Sequence, residues 1–195
     1  MLICDILWVV FWALWVVWAL WMKKAERRES VATHLLHTLL AAAGFLLMFS
    51  DLGAPWPWLH IRVLQRAPWL DGLGIAITVA GFAFAIWARI HLGRNWSSSV
   101  TSKVGHELIL TGPYKWVRHP IYTGLLLALF GTALVRAEMR GLLALVLVYA
   151  AWKIKSRVEE HMMTGTFGAE YSAYASATGA MFPRVVKSKG LATSR

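Results

Sequence analysis

Residues 2–22, LICDILWVVFWALWVVWALWM, form an apolar run with one charge, Asp5. At about 1.5 Å per helical residue this run spans the roughly 30 Å of hydrocarbon in a bilayer. Lys23, Lys24, Arg27 and Arg28 follow the run and no basic leader precedes it. That is the pattern of a membrane span with its N-terminus outside, not of a signal peptide. Trp8, Trp12, Trp15, Trp18 and Trp21 recur at intervals of three and four. Such a stripe faces lipid or a neighbouring helix.

The rest of the chain repeats the theme. Val31 to Ser50 and Gly72 to Ile90 are further full-length apolar segments, and the shorter Ile121 to Val135 and Gly141 to Trp152 flank the turn RAEMR as a helical hairpin. With 58% hydrophobic residues and twelve Trp in 195 residues, and a mean hydropathy of +0.54, a soluble domain is excluded. The expected fold is all-α: a polytopic integral membrane protein with about five transmembrane helices and a short cytoplasmic helical extension at the C-terminal end. In that extension, KIKSRVEEHMMTGTFG, no breaker occurs before Gly165, and Lys155 and Glu159 are four apart on one face. The organisation expected is an N-terminal transmembrane hairpin and outer linker, residues 1–70, followed by a membrane domain carrying the chemistry, residues 71–195.

Charge orients the chain. All of the twenty Lys/Arg except Arg62, Arg66, Arg89, Arg136 and Arg140 fall on the side of the first basic turn, which the positive-inside rule makes cytoplasmic. The formal net charge of +10 is spread over membrane-flanking loops, so anionic lipid headgroups are the expected partner and nucleic acid is not. The small residues Gly74, Thr78, Gly81, Ala85 and Ala88 line one face of the third span, and Gly124 and Ala128 repeat the device on the fourth. Neither composition nor this pattern fixes the oligomeric state.

A single cysteine, Cys4, rules out an internal disulfide and a thiolate metal site. His34 and His37 stand at i, i+3, but the sequence reads as offering them no nearby carboxylate, and no metal is expected there. Gly72-Leu-Gly74 lacks a third glycine and a preceding strand, so no dinucleotide fingerprint is present.

The stretch GPYKWVRHPIYTG, Gly112 to Gly124, carries the chemistry. Pro120 suits the first turn of a helix, which puts His119 near the N-cap and gathers Arg118, His119 and free backbone N–H groups into an anion-binding corner. The same residues would equally serve a positively charged loop that anchors a helix end.

HELILTGPYKWVRHPIYTG and EEHMMTGTFGAEYSAYASATGAMFP together resemble the C-terminal signature of the isoprenylcysteine carboxyl methyltransferases. These belong to a broader group of membrane methyltransferases that includes phospholipid N-methyltransferases. The similarity covers residues 90 to 186. It implies S-adenosylmethionine as cofactor, held at the cytoplasmic face, and a lipophilic or lipidated methyl acceptor arriving through the bilayer. It further implies cofactor contacts at His106, Glu107, Leu108, Ile109, Tyr114, His119, Pro120, Ile121, Tyr122 and Glu159. Arg118 or His119 would suit the cofactor carboxylate, Glu159 its ammonium, and Tyr114 or Tyr122 the adenine or sulfonium.

The family places an arginine for the acceptor carboxylate one helical turn before the cofactor glutamate; this chain has Lys155 there, with Arg157 nearby. Lysine supplies a point charge without the bidentate fork. Ala180 likewise stands where a basic residue is expected before Phe182-Pro183. Carboxylate, amine and thiol acceptors all stay open at this point, as do a membrane reductase using NADPH and a non-catalytic lipid-binding scaffold.

Overall fold

The computed structural model describes residues 1–20, 29–50, 56–65, 67–93 and 108–184. Six α-helices run through them: α1 Leu2–Leu20, α2 Val31–Phe49, α3 Pro68–Leu92, α4 Pro120–Arg136, α5 Met139–Phe167 and α6 Ala169–Ala177. The architecture is all-helical. α1, α2 and α3 are long and apolar enough to cross a membrane. α4 has 17 residues, about 26 Å of helix, and is a shorter apolar element.

The ends of the helices follow local chemistry. Ser30 caps α2, its hydroxyl oxygen accepting from the Thr33 N–H at 3.1 Å. Pro68 and Pro120 open α3 and α4 in the first turn. α3 runs past the expected end at Ile90 to Leu92, with Arg89 and His91 in its last turn, where cations complement the helix dipole. α5 passes through Gly165, which lowers helix propensity without breaking the hydrogen-bond ladder, and ends at Gly168, whose φ of 55° is the left-handed conformation.

α3 and α4 pack antiparallel along the small-residue stripe, nearly backbone on backbone. A β-carbon built on Gly124 would lie 2.6 Å from both Gly81 O and Ala85 N, and one built on Gly74 would lie 2.7 Å from Gly131 O. Without a hydrophobic drive between helices in lipid, this closeness supplies the dispersion contact that holds them. Gly44 plays the same part between α2 and α5, where its β-carbon would meet Val148 at 2.6 Å.

Two buried threonines of the bundle, Thr78 and Thr132, are hydrogen-bonded from within. Trp8 of the tryptophan stripe turns inward and donates its indole N–H to Thr132 Oγ1 at 2.9 Å, while Trp12 and Trp18 stay exposed. Thr78 donates back to Gly74 O at 2.9 Å. At the end of the bundle away from Arg118, the linker rests on the α4–α5 turn, with Val63 N donating to Ala137 O and Met139 N to Ile61 O.

Candidate active site

The two motif blocks, about forty residues apart in sequence, meet at one corner. The 3₁₀ turn Gly112–Lys115 leads into residues 117–119, which pair with the segment after α6: Arg118 N donates to Gly179 O and His119 N to Ala180 O, both at 2.9 Å. Thr123 Oγ1 closes the junction on Met181 O at 2.7 Å. Gly112 has φ 59° and a β-carbon there would lie 2.7 Å from the His91 ring, so the turn has room for glycine alone.

Against this frame α5 delivers two consecutive carboxylates. Tyr122 donates its hydroxyl to Glu159 Oε1 at 2.6 Å, and His119 Nδ1 lies 3.3 Å from Glu159 Oε2. On the other side of the same imidazole, Nε2 lies 3.0 Å from Glu160 Oε1. Arg118 donates Nε to Glu160 at 2.9 Å and uses Nη1 on the carbonyls of Ala175 and Thr178.

These groups sit outside the apolar spans, and their ionisation is coupled. Burial disfavours the imidazolium of His119, but hydrogen bonds and charge from Glu159 and Glu160 outweigh it and raise its pKa above 6.5. Burial also opposes ionisation of Glu160, yet His119 and Arg118 hold it down at about 2. Glu159 is lowered in the same way, against its burial, by His119, Lys155 and the Tyr122 hydroxyl. The corner sets two ionised carboxylates around an imidazole biased toward its charged form.

Aromatic rings flank it. Tyr122 stacks with His119 at 5.5 Å and with Trp152 at 5.6 Å between centroids, and Lys155 Nζ lies 5.7 Å from the Tyr122 centroid. Lys155 is therefore on the Glu159 face of α5. Arg157 is exposed; two residues on, the helix turns it about 200° away.

Of the residues expected from sequence, His119, Pro120, Ile121, Tyr122, Lys155 and Glu159 come together here. Tyr114 is buried beneath the turn, its carbonyl accepting from the Tyr174 hydroxyl at 2.6 Å. Leu108 and Ile109 are half-buried. His106 and Glu107 lie outside the described residues. Arg118 is occupied by Glu160 and the α6 carbonyls, which gives it the task of tying the C-terminal segment to α5. The sequence assigns no site role to Glu160, which would equally suit a solvated helical face, nor to Trp152 and Tyr174. It also gave His34 and His37 no carboxylate. The structure corrects this, bringing Glu29 to 2.6 Å from His34 Nδ1 and 3.1 Å from His37 Nε2.

The family model for phospholipid methyltransferase matches residues 70–170, from the start of α3 to the start of α6. The chain belongs to the phospholipid methyltransferase family. Within that family it is similar to the protein-S-isoprenylcysteine O-methyltransferase of Mus musculus, 28% identical over 159 residues that cover 79% of this chain and 54% of that one. It is also similar to the enzyme of that name from Saccharomyces cerevisiae, 32% identical over 116 residues, covering 57% of this chain and 48% of that one. The chain thus spans about half the length of the curated relatives it matches. The solved structure of the eukaryotic intramembrane Ras methyltransferase, isoprenylcysteine carboxyl methyltransferase, superimposes with a TM-score of 0.54 at 24% identity, over 75% of this chain and 52% of that one. The fold of that structure is shared, and the three long apolar helices make this chain a membrane protein.

Proposed function

We propose that this chain is a membrane methyltransferase that uses S-adenosylmethionine and methylates a lipophilic acceptor at the cytoplasmic face. One observation carries the reading: Glu159, from the polar extension of α5, is hydrogen-bonded to Tyr122 and paired with His119 at the start of α4. The names of the relatives support the reaction class.

The residues suit such a donor. Glu159 is ionised, and a carboxylate has more lone pairs than its two partners use, which leaves it able to take the ammonium of an amino-acid group. α4 starts without a side-chain cap, so the first-turn N–H groups of Ile121 and Tyr122 are oriented to receive the carboxylate of the same group.

Bound S-adenosylmethionine supplies an electrophilic methyl group on sulfur. The chain aligns the acceptor with it and keeps water away. Lys155, one helical turn before Glu159, attracts an anionic acceptor oxygen, while Trp152 and Ile121 supply an apolar flank. An acceptor carboxylate attacks through its own lone pair, so no proton has to move and the protonation of His119 and Glu159 is unchanged. An amine or thiol would have to lose a proton first, which only the neutral form of His119 could take. The names of the relatives favour the carboxylate of a prenylated cysteine.

Membranes bearing the chain, incubated with methyl-labelled S-adenosylmethionine, test the proposal. Label should enter an organic-soluble product, be released by mild base as expected for an ester, and be absent with Glu159→Gln. Base-stable label would move the acceptor to an amine or thiol, and no chain-dependent label would overturn the reading.

A further inference from the structure

Glu29, His34 and His37, none of which the methyl-transfer reading uses, gather at the start of α2. Ser30 caps the helix and directs the preceding Glu29 back over its first turns, where the two histidines, one turn apart, project on one face. Each oxygen of the one carboxylate meets a different imidazole: Oε1 is 2.6 Å from His34 Nδ1, and Oε2 is 3.1 Å from His37 Nε2. The two rings stand edge to face at 5.0 Å. All three ligand atoms lie within 4.8 Å of one another, against the roughly 3.4 Å between ligands about 2.1 Å from a tetrahedral zinc ion. Binding an ion would draw the three ligand atoms together by side-chain rotation.

We propose that Glu29, His34 and His37 bind a divalent transition-metal ion of the zinc class. Two imidazole nitrogens and a carboxylate oxygen form the borderline-hard donor set that such ions select over magnesium or calcium. The site is closed on one side and open on the other. His37 is buried, with 7% of its side chain exposed, whereas His34 keeps 38%, so a fourth coordination position faces solvent. The Glu29 carboxylate brings the acidic oxygen donor to the two imidazoles in a chain of formal net charge +10.

Metal binding can be measured without reference to methyl transfer. The full chain, purified with a tag free of histidine and stripped with a chelator, is titrated with Zn2+ by calorimetry and with Co2+ by visible absorption. One equivalent of Zn2+ should bind, and Co2+ should show the intense d–d band of a four-coordinate ion. His37→Ala and Glu29→Gln should each weaken binding by more than about tenfold, while His161→Ala, on exposed α5 surface, should leave it unchanged. Variants are compared only where elution volume and helical circular dichroism match the unaltered protein. His34→Cys provides a check that loss of folding cannot mimic, because a bound Co2+ should then gain a thiolate charge-transfer band. Binding of less than half an equivalent, binding untouched by His37→Ala, or a His34→Cys protein without the thiolate band would each overturn the proposal and leave the cluster as a hydrogen-bonded helix start.

Discussion

Tyr122 donates its hydroxyl to Glu159 across 2.6 Å, joining the first turn of α4 to the polar extension of α5 over 37 positions of sequence. A hydrogen bond to a charged acceptor contributes about 1.5–3 kcal/mol, and this one also fixes which way the carboxylate points. Tyr122→Phe should keep the ring between His119 and Trp152 and so leave the fold intact. It should weaken S-adenosylhomocysteine binding about tenfold, roughly 1.4 kcal/mol, as read by calorimetry. An unchanged affinity would show that Glu159 is oriented without the tyrosine.

The charge network sets a pH window. Glu159 and Glu160 are depressed below 4.5, so their contribution to stability is present above that pH and is lost as pH falls through their folded values. His119 is raised above 6.5, so its contribution is present below 6.5 and is lost as pH rises through its folded value. The melting temperature in detergent should therefore be highest between 4.5 and 6.5 and decline toward alkaline pH. His119→Gln should flatten the alkaline decline; a wild-type profile in that variant would place the titration elsewhere.

Arg118→Lys tests the tie between α5 and the C-terminal segment. A lysine can keep one contact with Glu160 but cannot also reach the carbonyls of Ala175 and Thr178. Amide hydrogen exchange should rise in residues 175–182 while α3 and α4 stay protected. Uniform protection would mean that the backbone pairing of residues 117–119 with Gly179 and Ala180 suffices alone.

Much of this fold is legible in the chain because lipid imposes simple demands. Length and hydropathy mark α1 to α3, and small residues every third or fourth position announce the α3–α4 seam, since only close backbones reward them. The corner itself was readable in part. Pro120 placed His119 at a helix start, but nothing in the sequence says that Glu160, not a ligand, fills Arg118, because that depends on the angle at which α5 crosses α4. The Glu29 cluster escaped for a similar reason: helical periodicity finds His34 and His37, whereas Glu29 reaches them by reversing over a cap.

Glycine placement gives a stability test. Gly124→Val would drive side-chain atoms into Gly81 O and Ala85 N, and overpacking of this kind costs about 1–3 kcal/mol or more. Gly165→Ala, in a helix interior with nothing within 4 Å of the new carbon, should instead stabilise α5 by up to about 1 kcal/mol. Thermal unfolding in detergent should move in opposite directions for the two.

The central claim is that the Glu159, Tyr122 and His119 corner holds the methyl donor. Its most direct test is the melting temperature of the purified protein with S-adenosylhomocysteine or NADPH, for the wild type and for Glu159→Gln. The melting temperature should rise with S-adenosylhomocysteine in the wild type alone and with NADPH in neither protein. A rise with NADPH, or an equal rise with S-adenosylhomocysteine in both proteins, would contradict it.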